Sequence, residues 1–199
     1  QIFGVDAKGF HLPPFQALPH LVAPVATAED DWPLTIGRFM VEMERRLSLE
    51  GTAVQRPRQV LFIDELADVL AAHAVLEDAI VRAVRKGREV GCHVIVATQR
   101  PDAASVKTVI SANLPVRLVG TCATVHEATL AAGRGGRGAH ELPGCGCFVL
   151  VNHGRMLRFT APLVTDNDLD DALERYGCLD AEPEAASAPG TKVLDFLAK

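Results

Sequence analysis

Apolar runs of strand length alternate along the chain with segments in which apolar residues recur at helical spacing. The runs predict strands at residues 1–6, 59–64, 92–97, 116–120, 147–152 and 156–160. The helical periodicity predicts helices at residues 34–49, 75–89, 124–132 and 166–176. Continuous apolar strands separated by helices are typical of a parallel sheet covered on both faces, so the pattern predicts an α/β fold.

The pattern also indicates the domain organisation. The chain has 199 residues, enough for one sizeable hydrophobic core. Residues 1–180 are expected to form one domain. From residue 181 the composition changes to Ala, Glu, Pro and Ser, so residues 181–199 are expected to be a linker and C-terminal tail, with a possible docking segment at 193–197.

Composition excludes several classes of protein. No apolar run approaches the roughly 20 residues that a transmembrane helix needs. The net charge of -5 argues against a protein that coats nucleic acid through a generally basic surface. The five cysteines are odd in number and their spacing suggests no disulfide framework, which suits a reducing cytoplasm.

Two carboxylates end one of the predicted buried strands. The apolar residues 60–63 are followed directly by Asp64 and Glu65. Ligands bind at the carboxyl ends of strands in open α/β sheets. In a Walker B site the first carboxylate organises the Mg²⁺ shell and the second polarises the attacking water. A strand that ends in an acidic helix N-cap has the same pattern, so the motif alone leaves both interpretations open.

A second predicted strand ends in Thr98 and Gln99 instead of a charge. A Gln beside a Walker B strand can sense the γ-phosphate and orient water. A polar strand exit before the turn at Pro101 is the simpler explanation of this motif taken alone. Between the two strands lies a basic cluster, Arg85, Lys86 and Arg88. It either places favourable charge at a helix C-terminus or supplies an arginine finger to a neighbouring subunit.

Four sequence blocks in a fixed order resemble the motor domain of the FtsK/SpoIIIE family. DELAD at 64–68, GREVGCH at 87–93, ATQRP at 97–101 and ISANLPVR at 110–117 are similar to that family's DE(F/L)ADL, RAAGIHL, ATQRP and IKANIPTR. Residues 4–8 and 43–46 resemble its IDPK and EMERR segments, and residues 135–136 and 142–146 its GGAExLLGxGDM stretch. The resemblance covers roughly residues 1–165, and four ordered blocks are far more specific than one motif.

The resemblance implies a fold and a set of catalytic residues. The fold is a RecA-like P-loop ATPase core with a mainly parallel β-sheet flanked by helices, lacking the first β–P-loop–α unit. Asp64 would organise Mg²⁺ and Glu65 would be the general base. Gln99 would be the sensor, with Thr98 beside it at the nucleotide, and Arg88 would be the arginine finger.

The resemblance also implies ligands and partners. The cofactors would be ATP and Mg²⁺, and the partner double-stranded DNA inside a hexameric ring of identical subunits. Lys107 and Asn113 fall in the segment that the family turns toward DNA. Contacts there would go to phosphates and would be independent of base sequence.

The sequence departs from the family pattern at several points. The phosphate-cradling Walker A motif, G-x-x-x-x-G-K-[ST], does not occur in the 199 residues, and the run GRGGRG at 133–138 is no substitute because no Lys-Ser/Thr follows it. The strand at residues 1–6 is therefore expected to be the second of the fold, and this chain alone is expected to bind ATP weakly or not at all. Ala7 replaces the family's Pro, Cys147 replaces an Asp, and the tail is too short for the winged-helix domain of chromosomal members.

Two other clusters have ordinary structural explanations. The arginines of the run at 133–138 can contact phosphate, but a loop fixed by its glycines explains them better. Cys145 and Cys147, with His140 and His153 nearby, suggest zinc. Their spacing is not C-x₂-C, so no zinc is expected.

Three functions remain open. The first is ATP-driven translocation of double-stranded DNA by a ring-shaped motor, in plasmid or mobile-element transfer more than in chromosome segregation. The second is a type VII secretion-type ATPase domain that moves protein. The third is a non-catalytic docking or assembly remnant without Walker A. The expected location is the cytoplasm, with any membrane tether in a segment upstream of Gln1.

Overall fold

The computed structural model describes residues 1–49, 57–101, 104, 106, 108–109 and 114–177. The chain divides into two compact units, one of Gln1–Gln99 with Asp170–Lys199 and one of Arg100–Leu169. Each unit contains one three-stranded sheet. The predicted tail at residues 181–199 and its possible docking segment lie outside the described residues.

The sheet of the first unit is parallel. Its strands are β1 (Ile2–Asp6), β2 (Gln59–Asp64) and β3 (Cys92–Val96), in the spatial order β1-β2-β3. Asp6 is in register with Asp64, and Ile63 with Val96, so the carboxyl ends of the three strands meet at one edge. Helices connect the strands, as parallel pairing requires. The predicted α/β fold is confirmed in this unit.

Three helices belong to the crossovers of this unit: α1 (Trp32–Ser48), α2 (Leu66–Ala72) and α3 (Leu76–Lys86). The apolar stripe of α1 is fully buried and consists of Ile36, Phe39, Met40 and Met43. The ring of Phe39 meets Phe3 of β1 edge-on, with centroids 5.6 Å apart. This helical spacing of apolar residues is what predicted α1 from the sequence.

The connection from α3 to β3 is short and tightly packed. The predicted helix at 75–89 ends at Lys86, and a 3₁₀ turn, Gly87–Val90, follows it. A Cβ on Gly87 would lie 2.5 Å from the carbonyl oxygen of Cys92, so this position has no room for a side chain. Gly91 has φ 72°, a left-handed conformation that returns the chain to the sheet.

Helix α2 was not predicted from the sequence. It has seven residues, too few for helical periodicity to stand out, and it begins directly after the Walker B-like pair. Its residues Leu66, Ala67, Val69 and Leu70 are buried. Tertiary packing therefore stabilises a helix that its length alone would leave marginal.

The sheet of the second unit is antiparallel, in contrast to the parallel sheet of the first unit. Its strands are β4 (Val116–Val119), β5 (Cys147–Asn152) and β6 (Arg155–Thr160), in the order β4-β5-β6. His153 and Gly154 join β5 to β6 with φ values of 45° and 81°. Such a two-residue turn can connect only antiparallel neighbours.

The second unit also contains a helix and a 3₁₀ segment. Helix α4 (Val125–Ala132) begins after Thr124, whose hydroxyl accepts a hydrogen bond from the Glu127 amide at 3.1 Å. The run expected to be a loop forms the 3₁₀ segment Arg134–Glu141 instead. A Cβ on Gly136 would lie 2.8 Å from the Cβ of Ala128, so the glycine allows this segment to pack directly on α4. The unit's core consists of Val119, Ala128, Ala132, Ala139, Leu142, Val149 and Val151.

The last described element is α5 (Asp166–Gly177), one residue longer than the predicted helix. Asp168 in its first turn accepts hydrogen bonds from the amide and hydroxyl of Thr165, at 2.8 and 2.6 Å. Of the helices formed by described residues, none is long and apolar enough to cross a membrane.

Candidate active site

The chain turns sharply where β2 ends. Glu65 has φ 54° and ψ 64°, a left-handed conformation that costs a residue with a side chain roughly 1–2 kcal/mol. Its surroundings hold it there: the Leu66 amide donates to the Ala97 carbonyl at 2.8 Å, and the Asp68 amide to the Glu65 carbonyl at 3.0 Å. The start of α2 is thereby tied to the exit of β3.

The side chain of Glu65 is buried, and the exit of β3 determines its orientation. One carboxylate oxygen, Oε1, accepts a hydrogen bond from the Thr98 hydroxyl at 2.7 Å. The backbone amide of Gln99 lies 3.2 Å from both carboxylate oxygens. The Gln99 side chain is exposed. The structure therefore brings the predicted base within hydrogen-bonding distance of the Thr98 hydroxyl and of the backbone of Gln99, the predicted sensor.

Asp64, the other predicted carboxylate, contacts a histidine from a distant part of the chain. Nδ1 of His11 lies 2.7 Å from its Oδ2 atom. The Asp64 side chain is 17% exposed and that of His11 46% exposed, so the pair faces solvent at the carboxyl edge of the sheet. The ring of Phe10 packs edge-on against His11, with centroids 4.1 Å apart.

A buried aspartate at the end of β1 shapes the loop that carries His11. Oδ1 of Asp6 accepts hydrogen bonds from the amides of Lys8 and Gly9 at 2.9 and 2.8 Å. Its Oδ2 accepts from the amides of His11 and Leu12, both at 2.8 Å. Burial raises the pKa of Asp6, but the four backbone hydrogen bonds outweigh burial and hold the pKa below its ordinary value.

Asp6, His11 and Asp64 each offer a possible metal ligand, with the three ligand atoms within 4.8 Å of one another. The acceptor positions of Asp6 are already occupied by four backbone amides, two on each oxygen. Mg²⁺ prefers oxygen ligands and keeps several of its waters. Asp64 fits such an ion, because its carboxylate is partly exposed and lies beside Glu65 at the carboxyl edge of the sheet.

The remaining predicted site residues lie elsewhere. Arg88 is exposed and belongs to the 3₁₀ turn before β3. It therefore lies near the amino edge of the sheet, about 15 Å from the carboxylates if a five-residue strand separates them. Lys107 and Asn113 lie outside the described residues.

Two residues at this edge were not predicted to belong to the site. Asp6 ends β1 in register with Asp64, and that shared strand position was a usable signal for its location. His11 has no comparable signal, because its contact with Asp64 depends on the path of the loop after β1. Lys8, in the same loop, reaches α2 through an ion pair with Asp68 at 2.9 Å.

Solved structures establish the class of fold. The cytoplasmic domain of the type VII secretion ATPase EccC from Thermomonospora curvata matches with a TM-score of 0.70 at 21% identity, covering 88% of this chain and 24% of that one. The pCW3 conjugation coupling protein TcpA, solved with ATPγS, matches with a TM-score of 0.70 at 21% identity, covering 87% and 56%. The chain therefore shares the α/β fold of these two proteins.

Sequence comparison identifies the relatives more narrowly. The chain is 28% identical over 210 residues to DNA translocase FtsK of Corynebacterium efficiens, covering 90% of this chain and 22% of that protein. It is 29% identical over 187 residues to DNA translocase SftA of Bacillus subtilis, covering 83% and 19%. The resemblance to the FtsK/SpoIIIE translocases is thereby confirmed. No protein-family model matches the sequence, and the chain spans about a fifth of the length of these two relatives.

Proposed function

We propose that this chain is the Walker B-bearing part of an ATP-driven motor that moves double-stranded DNA in DNA transfer or segregation. The observation that carries the proposal is the Asp64–Glu65 pair at the end of β2, with Glu65 hydrogen-bonded to Thr98 and Gln99 at the end of β3. The sequence relatives named DNA translocases support DNA as the cargo.

Each residue has a chemical role in this proposal. Asp64 holds Mg²⁺ through the ion's water shell, and the ion neutralises charge on the phosphates. Glu65 polarises the attacking water, and Gln99 orients it from the neighbouring strand. The groups that grip the phosphates belong to a Walker A motif, which the 199 residues do not contain. The chain thus supplies the water-activating half of a nucleotide site.

The exposed position of Arg88 suits a residue that acts on the nucleotide of a neighbouring subunit. A guanidinium near the amino edge of the sheet is too far from its own chain's carboxylates to act with them, yet it can face an adjacent protomer. This role requires the self-association into a hexameric ring that we propose with it. DNA would pass through the ring in the cytoplasm, contacted by Lys107 and Asn113 through its phosphates.

Transport of protein by a type VII secretion-type ATPase is the second candidate. EccC matches this chain with the same TM-score as TcpA, which favours a shared fold and does not by itself identify a cargo. The curated relatives at 28–29% identity are named DNA translocases, and for that reason DNA is the preferred cargo.

The test measures ATP hydrolysis by the longest natural form of the protein, including any residues encoded upstream of Gln1, with and without linear double-stranded DNA. We expect DNA to stimulate hydrolysis and Glu65→Gln to lower kcat at least about 100-fold. Glu174→Gln is the matched control, because Glu174 is exposed on α5. A folded, assembled protein whose hydrolysis ignores DNA would contradict the DNA motor and favour protein cargo. No hydrolysis at all would favour the docking remnant.

A further inference from the structure

The hydroxyl of Thr98 makes the shortest hydrogen bond to the Glu65 carboxylate among the described residues. From this contact we propose that Thr98 is a positioning residue, which holds Glu65 in the orientation needed to activate water. This inference rests on the proposed ATPase function. It assigns to Thr98 a role different from the nucleotide contact implied by the family resemblance.

The chemistry of the contact defines which group donates. An ionised carboxylate accepts hydrogen bonds and donates none, so the single proton of the Thr98 hydroxyl points at Oε1 of Glu65. Phosphate oxygens of ATP also accept hydrogen bonds. While Thr98 is bonded to Glu65, its hydroxyl has no proton to give to a phosphate. This contact gives Thr98 a route to influence the reaction through the glutamate.

The hydrogen bonds to the two carboxylate oxygens of Glu65 explain why the orientation of this side chain matters. The Gln99 amide lies equally far from both carboxylate oxygens, at 3.2 Å, and so does not distinguish them. The Thr98 hydroxyl, at 2.7 Å from Oε1, does distinguish them. It leaves Oε2 as the oxygen with more acceptor capacity for a water. A general base is effective only when such an oxygen is held within hydrogen-bonding distance of the proton that it takes.

The backbone conformation of Glu65 gives a further reason to expect that substitution of Thr98 changes the orientation of the carboxylate. Glu65 is 4% exposed and stands in a left-handed conformation, so its side chain leaves the strand in a direction that β2 does not impose. Residues at the exit of β3 determine that direction instead. Removing the hydroxyl leaves the carboxylate with the shared Gln99 amide as its described partner.

The experiment compares Thr98→Val, which is nearly isosteric and lacks the hydroxyl, with Thr98→Ser, which keeps it. Both are made in the longest natural form of the protein, and kcat and KM for ATP are measured with DNA present. We expect Thr98→Val to lower kcat about 10- to 100-fold, the loss expected for one hydrogen bond to a charged group, while KM stays within about twofold. Thr98→Ser should restore kcat to within about threefold of wild type.

Two further variants make the result decisive. Thr129→Val applies the same chemical change to a half-buried threonine of α4, whose hydroxyl donates to the Val125 carbonyl, and should leave kcat unchanged. Thr98→Ala tests the hydroxyl without an added methyl contact if Thr98→Val folds poorly.

Each possible outcome supports or overturns the inference. Wild-type kcat in Thr98→Val, or failure of Thr98→Ser to restore it, would overturn the positioning role. So would a loss confined to KM or to the affinity for a non-hydrolysable ATP analogue, because it would make Thr98 a nucleotide ligand. These results require an active wild-type protein, whereas failure of the proposed function appears as a wild type without ATPase activity.

Discussion

The carboxylate of Asp6 organises the loop that follows β1. Its two oxygens accept four backbone amide hydrogen bonds from residues 8–12, at 2.8–2.9 Å. The same loop carries His11 to Asp64. The buried side chain of Asp6 thereby helps to place His11 against Asp64, the carboxylate proposed to organise Mg²⁺.

Replacing Asp6 tests this role at the scale of one residue. Asp6→Asn places an amide donor against backbone donors, so we expect the free energy of unfolding to fall by about 2–4 kcal/mol at neutral pH. The measurement is denaturant-induced unfolding. Asp30→Asn, at an exposed position, is the matched control and should stay within about 0.5 kcal/mol of wild type.

The difference in the free energy of unfolding between wild type and Asp6→Asn is expected to depend on pH. The pKa of folded Asp6 lies below its ordinary value, so its stabilising contribution is complete above the unfolded-state pKa of about 3.9. That contribution is lost as the pH falls from there through the lower folded-state pKa. The difference between wild type and Asp6→Asn should therefore be constant from about pH 7 to 5 and shrink below about pH 4. A difference that grows with acid would contradict this assignment.

At the scale of elements, Arg46 connects α1 with two loops at the amino edge of the parallel sheet. Its side chain is 3% exposed and its Nε donates to Glu42 at 2.8 Å. Its Nη1 atom donates to the carbonyls of Pro57 and Val90, at 3.0 and 3.3 Å. Burial of an arginine at this position is compatible with stability because each of these contacts is a charge-assisted hydrogen bond.

Arg45 is a natural control for this connection. It pairs with the same Glu42 at 2.6 Å, but its side chain is 55% exposed. We expect Arg46→Met to lower the free energy of unfolding by about 2–3 kcal/mol, since two carbonyls and a carboxylate lose a donor. Arg45→Met should change it by less than about 0.5 kcal/mol. Equal effects in denaturant-induced unfolding would mean that the ion pair with Glu42, and not the link to the loops, stabilises α1.

At the scale of the whole molecule, the charge distribution constrains how DNA can be held. A net charge of -5 gives the chain no general attraction for a polyanion, so the proposed contacts must be few and local. Contacts to phosphates release counterions and weaken with salt, whatever the base sequence.

Substitution of Lys107 tests the expectation that the contacts with DNA are local and salt-dependent. We expect Lys107→Gln to raise the DNA concentration needed for half-maximal stimulation of ATP hydrolysis and to make that concentration less dependent on salt, with ATPase activity without DNA unchanged. Lys86→Gln, at an exposed position near the end of α3, is the matched control. If both variants respond to DNA as wild type does, the family-based assignment of Lys107 is wrong.

The sequence by itself predicted the elements whose burial pattern is local. The strand at residues 59–64 is visible in the sequence as a continuous apolar run. The apolar stripe of α1 is visible as a period of 3.6 residues, which follows directly from helix geometry. The closeness of the strand ends that carry Glu65 and Thr98 was also predictable, since adjacent parallel strands end at the same edge.

Tertiary structure alone decided the features that depend on distant parts of the chain. Helix α2 is too short to be stable without packing, and the contact between His11 and Asp64 joins residues 53 positions apart. The hydrogen bond from Thr98 to Glu65 requires a left-handed turn that a glutamate does not prefer. The sequence shows which side chains the protein contains. The path of the backbone determines which of these side chains come into contact, because burial and hydrogen bonding across the fold outweigh the local conformational preference of each residue.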